Sequence, residues 1–279
     1  MYKVLKNEKI SPNSYLMEIK AQDVINKALP GQFVILMTKE DSERIPLTIY
    51  DIDRKKGILS VIYQVIGAST EEMTTVEDEI FAVTGPLGKP NEICANPEKY
   101  EGKRIVYVAG GVGIAPVYPQ VKYLKKKGFD VDVIYGSRSV DLLLIRDKIE
   151  KVAKKIRYAT DDGSFGQKGF VTDVLEKNIK YYDICIAIGP LIMMKNIAEL
   201  TKKYKLKTIV SMNPLMVDGS GMCGACRCEI EGKPKFACID GPEFDGHKVN
   251  FDLALKRMNI YKEEEQELYD NMKKFLNTK

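Results

Sequence analysis

Four of the six cysteines fall within one stretch, MVDGSGMCGACRCEIEGKPKFACIDGP, residues 216–242, at positions 223, 226, 228 and 238. Thiolates are ligands for zinc and for iron–sulfur clusters. A four-cysteine zinc site normally carries two C-x-x-C knuckles, and only Cys223 and Cys226 form one here. The plant-type 2Fe–2S pattern is C-x4-C-x2-C followed by a distant cysteine. Laid down from the C-terminal side, Cys238 is the distant ligand, Cys226 the third and Cys223 the second. The first position falls on Asp218, so the segment reads D-x4-C-x2-C-x11-C. The expected metal ligands are therefore Asp218, Cys223, Cys226 and Cys238. A competing set exchanges Asp218 for Cys228, which leads into the expected strand CRCEI with GKPKFACI as its hairpin partner. Gly219, Gly221 and Gly224 let the backbone wrap a cluster in either set. Cys185, inside DICIAIG, reads as a buried strand residue, and Cys94 lies elsewhere.

A second set of residues is suited to phosphates. VYVAGGVGIAP follows an expected strand and opens a helix. Gly110, Gly111 and Gly113, with Val112 between them, allow close approach of a pyrophosphate to a helix N-terminus. The spacing is G-G-x-G and not G-x-G-x-x-G, and a tight strand-to-helix turn would account for it equally well. Further loops follow later strands: YGSRSVD (135–141), ATDDGSFGQKG (159–169) and AIGPLIMMK (187–195). In an open α/β sheet such loops gather at the carboxyl ends of the strands, where ligands bind. Arg138 follows one of these strands, where an arginine can pair with a 2′-phosphate. Nearer the N-terminus, ERIPLTIYD (43–51) offers Arg44, whose planar fork suits a diphosphate, although alone it would read as a surface ion pair. QVIGASTEEM (64–73) adds Gln64, Val65, Gly67, Ser69 and Thr70, small or hydroxyl-bearing residues fit for a phosphate loop.

These residues need a scaffold. SYLMEIK, GQFVILM, GILSVIYQVI and EIFAVTG read as short strands between turns, which predicts an antiparallel β-barrel over residues 1–100. From residue 101 the texture changes. RIVYVAG, VDVIYG, KIRYAT, DICIAIG and KTIVSM read as buried strands. VYPQVKYLKKKG, LLLIRDKIEKVAKK, FVTDVLEKNI and LIMMKNIAELTKKY read as helices between them. That alternation predicts a parallel five-stranded α/β domain over 101–212. A small cysteine-bearing segment follows over 213–250. A helical tail over 251–279 carries an apolar stripe of Leu253, Leu255, Met258, Leu268, Met272 and Phe275, which fits packing on its own domain or against a partner.

The chain has 279 residues, 44% of them hydrophobic, and a net charge of +4 from 43 basic and 39 acidic side chains. That near-balance gives no footing for nucleic acid or an anionic membrane. No apolar run approaches the length of a membrane span, and MYKVLKNEKI lacks the core of a signal peptide. A cytoplasmic protein is expected. The single histidine, His247, lies in the polar stretch EFDGHKVNFD and reads as a solvated turn residue, which excludes multi-histidine metal sites.

The barrel, R-x-P-L-T at 44–48, G-P-L-G at 85–88, G-G-V-G-I-A-P at 110–116 and G-P-x-x-M-M at 189–194 together resemble the ferredoxin–NADP reductase superfamily. The resemblance covers nearly the whole chain. With the cysteine segment appended, it is strongest to two kinds of subunit. One is the electron-transfer subunit of dihydroorotate dehydrogenase. The other is the small subunit of NADH-dependent reduced ferredoxin:NADP oxidoreductase, of sulfide dehydrogenase type. The first has cysteine at the first cluster position and the second has aspartate, so Asp218 favours the second. The resemblance implies FAD on the barrel, NAD(H) on the α/β domain and a 2Fe–2S cluster near the C-terminus. It implies hydride exchange between NAD(H) and FAD, and single-electron exchange with the cluster, with no catalytic side chain required. By the same resemblance Arg44, Pro46, Leu47 and Thr48 line the FAD and the 64–70 loop completes its site, with Gly85 and Gly88 in the matching G-P-L-G. Gly111, Val112 and Gly113 face the NAD pyrophosphate, Asp161 and Asp162 reach a ribose, and Gly189 and Pro190 lie near the nicotinamide. The implied partner is a larger subunit with its own flavin and 4Fe–4S clusters, in an electron-bifurcating heterodimer. A reading from another class is a zinc-stabilised binding module on an inactive nucleotide fold.

Overall fold

The computed structural model describes residues 1–277, with side chains described through Asn271. Seven strands make up the N-terminal part: β1 (Tyr2–Ser11), β2 (Ser14–Lys20), β3 (Phe33–Met37), β4 (Ile45–Asp53), β5 (Ile58–Gln64), β6 (Glu79–Ile80) and β7 (Ala82–Leu87). They form one antiparallel sheet in the order β6-β1-β2-β5-β4-β3-β7. β6 and β7 stand at opposite edges, yet only Phe81 separates them in sequence. The chain itself therefore draws the two edges together, and the sheet curls around Met17, Ile19, Val34, Leu36, Val61 and Tyr63.

Two of these strands, β1 and β4, lie outside the four expected runs, and the run EIFAVTG divides into β6 and β7 at Phe81. β1 hides because lysines and polar residues cover an edge that buries only Val4. β4 hides because Pro46 removes a backbone donor, which argues against a central strand. The structure resolves that conflict through the register. Ile45–Thr48 pairs with β3, but pairing with β5 begins only at Ile49. Pro46, Leu47 and Thr48 thus lie half-buried along an unpaired strand edge.

The second sheet contains β8 (Ile105–Gly110), β9 (Val131–Ser137), β10 (Lys155–Thr160), β11 (Gln167–Lys168), β12 (Ile184–Ile188) and β13 (Lys207–Ser211). The cysteine segment supplies the hairpin of β14 (Arg227–Ile230) and β15 (Lys233–Phe236), then β16 (Glu243–Asp245). The order of the second sheet is β11-β10-β9-β8-β12-β13-β16. Its five long strands are parallel, as the alternation predicts, and read as unbroken apolar runs because helices cover both faces. The short β11 and the antiparallel β16 extend it at the two edges. The cysteine segment is therefore not an appendage, since its last strand completes the sheet.

Helices Ile114–Lys126, Val171–Asn178 and Leu191–Lys203 match expectation. LLLIRDKIEKVAKK yields only Arg146–Glu150, because Leu143 and Leu144 turn into the core and the Leu144 N–H donates to Tyr135 Oη at 2.8 Å. Cys185 is fully buried in β12, as expected. His247 is half-buried, with Nε2 3.0 Å from Thr201 Oγ1, so it is tied to a helix and not left in solvent. The tail forms helices Phe251–Met258 and Lys262–Asn277. Of its expected stripe, Leu255 packs on the core while Leu253, Met258 and Leu268 stay largely exposed. Met272 and Phe275 lie outside the described side chains. Among the described residues, no helix is long and apolar enough to cross a membrane.

The parts are joined by polar contacts. Lys122 and Asp51 form a salt bridge of 2.7 Å between helix and barrel, beside the Tyr50 and Tyr118 rings. Glu243 of β16 accepts from Asn91 Nδ2 at 2.7 Å and from Gln120 Nε2 at 3.0 Å. Burial pushes the Glu243 carboxyl up to about 7, outweighing those two donors. A raised carboxyl favours the fold below its ordinary pKa and loses that contribution as pH rises through the folded value. The stability decline between about pH 4.5 and about pH 7 should be on the order of 2 kcal/mol, since part of the residue meets solvent. Glu243→Gln is expected to flatten it. Thermal unfolding at about pH 5 and about pH 8 checks this; an unchanged Tm difference would count against it.

Candidate functional site

The order of the second sheet reverses between β8 and β12, which lie side by side and parallel. A reversal of this kind opens a crevice at the carboxyl ends of the strands. The glycine turn 110–113 sits at that crevice and leads into helix Ile114–Lys126. Its glycines do different work. A Cβ on Gly113 would lie 2.3 Å from Ile188 O, and one on Gly110 2.5 Å from Met193 Sδ and 3.0 Å from Pro190 Cδ. A Cβ on Gly189 would lie 3.0 Å from Gly110 N. These three let the ends of β8 and β12 touch. Gly111 differs: its φ is +55°, and a Cβ there would meet nothing within 4 Å. It leaves backbone open on the crevice side, beside Val112.

Arg138, Asp161 and Asp162 lie together beyond the ends of β9 and β10, with Asp162 N–H donating to the Arg138 carbonyl at 3.2 Å. Arg138 and Asp161 are exposed. Asp162 is engaged by its own loop, accepting from Ser164 N–H at 2.9 Å and Ser164 Oγ at 2.7 Å. Those bonds, the hydroxyl foremost, hold its carboxyl below the ordinary range.

Across the crevice, the glycine turn packs against β5, which ends at Gln64 and leads into the 64–70 loop. Val65 N–H donates to the Asn13 carbonyl at 2.9 Å. The Thr70 hydroxyl closes the loop on itself, accepting from Gly67 N–H at 3.1 Å and donating to the Gly67 carbonyl at 2.9 Å. Ser69 Oγ donates to Glu43. A Cβ on Gly67 would meet nothing within 4 Å. The open edge of Pro46, Leu47 and Thr48 and this loop form the half-buried face of the barrel nearest the crevice. A flat aromatic group that needs backbone donors and acceptors along one edge fits such a face.

Gly85 and Gly88 serve another contact. A Cβ on Gly85 would meet Val34 Cγ1 at 2.8 Å, and one on Gly88 would meet Phe33 at 2.9 Å and Pro242 at 3.0 Å. Lys89 N–H then donates to the Gly241 carbonyl at 2.6 Å. The G-P-L-G turn thus seats the cysteine segment on the barrel.

Within that segment the candidate ligands stand as two pairs. Cys226 Sγ and Cys238 Sγ are 3.2 Å apart. Cys223 lies within electrostatic reach of Asp218, and the backbone N–H groups of Ala225, Asp218 and Val217 stand near its sulfur. Those amides, Ala225 first, pull the Cys223 thiol below its ordinary range, as a ligand thiolate requires. Burial pushes Cys238 up to about 12. Ser220, through its hydroxyl and then its N–H, holds the half-buried Asp218 carboxyl below the usual range. Among the described residues no three such side chains close around a single ion. A two-iron cluster asks for two ligands at each iron, and a pair of pairs fits that demand. Cys228 is buried on β14, its thiol 3.8 Å from the Cys226 carbonyl and pushed up to about 11 by burial. It lines a cavity of about 210 Å³ with Leu191, Met212, Ala254 and Arg257. Gly219, Gly221 and Gly224 all have positive φ, as a loop wrapping a cluster would need. Arg44 is found here as well: its Nε donates to the Val217 carbonyl at 2.6 Å and its Nη2 to the Asp218 carbonyl at 3.2 Å.

Residues 213–250 match the family model described as the iron–sulfur cluster binding domain of dihydroorotate dehydrogenase B, and residues 107–199 match the oxidoreductase NAD-binding domain. A Thermotoga maritima protein named as a homologue of the dihydroorotate dehydrogenase B (NAD(+)) electron transfer subunit is 41% identical over 97% of this chain and 95% of its own length. The corresponding subunit of Clostridium acetobutylicum is 34% identical, over 88% and 95%. The chain belongs to the family of dihydroorotate dehydrogenase B electron-transfer subunits and their homologues. A solved structure of NADH-dependent reduced ferredoxin–NADP oxidoreductase, studied for flavin-based electron bifurcation, superposes with a TM-score of 0.89 at 38% identity, covering 98% of both chains. Members of this family are oxidoreductases of the ferredoxin–NADP reductase type. FAD, NAD(H) and a 2Fe–2S cluster are the cofactors of this fold.

Sequence reasoning missed three features of the family member described here. The amides of 217, 218 and 225 around Cys223 carry no side-chain signature. Arg257, from the tail, donates to the Ala225 carbonyl at 3.2 Å; only its place on a helix after the cysteine segment hinted at this. Asn91 and Gln120, which hold Glu243, look like ordinary surface residues in sequence but are fully buried.

Proposed function

We propose that the chain is the small subunit of an electron-bifurcating NADH-dependent reduced ferredoxin:NADP oxidoreductase. One observation carries the choice: an aspartate, Asp218, occupies the first ligand position beside Cys223, while Cys226 and Cys238 pair with each other. The placement of Cys228 along a separate cavity supports leaving it out of the ligand set. Flavin, when bound, links the two-electron chemistry of a nicotinamide to the one-electron chemistry of an iron–sulfur cluster, and that chemistry belongs to the cofactors.

The chain's own residues hold and orient. Pro46, Leu47 and Thr48 offer the open strand edge and one hydroxyl to the flavin ring. Gln64, Val65, Gly67, Ser69 and Thr70 form the adjoining loop for its phosphates. Gly110 and Gly113 fix the glycine turn, and Gly111 and Val112 present backbone to the nicotinamide dinucleotide's pyrophosphate. Gly189 and Pro190 form the wall near its nicotinamide. Asp161 is free to meet a ribose hydroxyl and to repel a 2′-phosphate, whereas Asp162 stays with Ser164. Arg138 is the one group of this set that would attract a 2′-phosphate. Asp218 and Cys223 hold one iron, Cys226 and Cys238 the other. The partner is a larger subunit with flavin and 4Fe–4S clusters, met in the cytoplasm. Leu215, Val217, Met222 and Ile239, all strongly exposed around the cysteine segment, support a protein neighbour there. The family model over 213–250 favours a second reading, the electron-transfer subunit of a dihydroorotate dehydrogenase.

Anaerobic addition of NADH to the purified chain, followed by absorption and low-temperature EPR, tests the reading. Flavin bands should bleach and the signal of a reduced 2Fe–2S cluster should rise, with NADPH far less effective. A colourless zinc-containing preparation, or a clear preference for NADPH, would overturn it.

A further inference from the structure

We propose that Arg44 is a positioning residue for the iron–sulfur cluster, holding the 217–218 backbone so that Asp218 and Cys223 are presented together. This rests on the reading of Asp218 as a ligand. Arg44 stands at the start of β4, whose next four residues are locked in register with β3. Its guanidinium lies with Nη1 3.5 Å from Met37 Sδ and spends Nε and Nη2 on two successive carbonyls, those of Val217 and Asp218. A rigid fork that grips consecutive carbonyls fixes the plane of the peptide between them.

That peptide faces the cluster ligand on its other side. In a trans peptide the C=O and N–H point in opposite directions. The Val217 carbonyl accepts from Arg44, and the N–H of the same peptide, that of Asp218, lies on the Cys223 side. The arginine charge polarises this peptide, so the positive end of its dipole is strengthened on the Cys223 side. The next residue is pinned too. A Cβ on Gly219 would lie 2.7 Å from Leu87 and 2.9 Å from Ile35, so the loop is pressed onto the same barrel that carries Arg44. Asp218 therefore sits between two barrel contacts, with its own residue half-buried.

A positive charge relayed to a ligand sulfur favours the reduced, more negative cluster. The full chain carrying Arg44→Gln is expected to keep its FAD. Its cluster should have a lower midpoint potential and an altered EPR line shape, and should lose iron to a chelator about tenfold faster, the scale of one charge-assisted hydrogen bond. Arg44→Lys restores the charge without the fork, so the potential should recover more than the line shape. Loss of FAD in either variant with an unchanged cluster potential and EPR signal would overturn the proposal and make Arg44 a diphosphate clamp. Variants with parent-like potential, line shape and iron loss would overturn it as well. Asp218→Ala, measured alongside, separates the two layers: if it leaves the cluster intact, the ligand reading fails, whatever the arginine variants show.

Discussion

Cys226→Ser and Cys238→Ser are each expected to bring iron and acid-labile sulfide close to background while the flavin stays bound. The two sulfurs are 3.2 Å apart and both are buried, so iron that lost one of these thiolates would lose half of its proposed ligand pair. A serine hydroxyl has nearly the same volume but is a poor ligand for iron at neutral pH, so packing of the segment on Ala237 and Phe236 should survive. Cys223→Ser should also cost the cluster, because the amides of 217, 218 and 225 are arranged around a sulfur. Iron and sulfide analysis beside flavin absorbance checks the set. A Cys238→Ser variant with full iron content would remove the pairing of Cys226 with Cys238 from the account.

Gly113→Ala is the second large effect. The added methyl would lie 2.3 Å from Ile188 O and 2.8 Å from Ile188 C, both backbone atoms that cannot rotate away. The ends of β8 and β12 must part, which displaces the glycine turn from the crevice. A displacement on the order of 1 Å at a site that positions two reactants costs about a hundredfold in rate. NADH-driven dye reduction should fall by about that factor while barrel-bound flavin and the cluster, both held elsewhere, remain. Gly111→Ala is the contrast. Its methyl has free space, and the cost is the left-handed backbone, about 1 kcal/mol, so its effect should appear in KM for NADH. Stopped-flow reduction and thermal unfolding of the two variants separate these outcomes. Equal, small effects for both would mean that the turn does not position the nucleotide.

Much of this architecture can be read from residue order, and the exceptions have physical causes. The five parallel strands announce themselves because both faces are covered, which leaves continuous apolar runs such as Ile105–Gly110. The hairpin of β14 and β15 follows from its turn and alternation. β4 does not, because Pro46 lies where ladder bonding to β5 is already absent, and no local rule tells an unpaired edge from a loop. The joining of β16 to β13 is a long-range pairing of three residues, too short for a periodic signal. At the site, glycine spacing locates the crevice but does not tell Gly113, packed on backbone, from Gly111, which is open. Arg44 shows the same limit. Its type suits a phosphate or a carbonyl equally, and only the fold brings Val217 and Asp218 to it, more than 170 residues away in sequence.

In the proposed ligand set a carboxylate, that of Asp218, completes the cluster. Asp218→Cys should keep a 2Fe–2S cluster with a changed EPR signal and potential, because a hard oxygen and a soft thiolate donate differently to iron. The most direct measurement is iron content and EPR of Asp218→Ala beside Cys228→Ser. Asp218 stands with Cys223 at the barrel contact, while Cys228 lines the cavity beneath β14. The alanine variant should therefore hold a labile cluster with an altered signal, and the serine variant should match the parent. An unchanged alanine variant beside a serine variant that has lost its cluster would make Cys228 the fourth ligand and contradict the account.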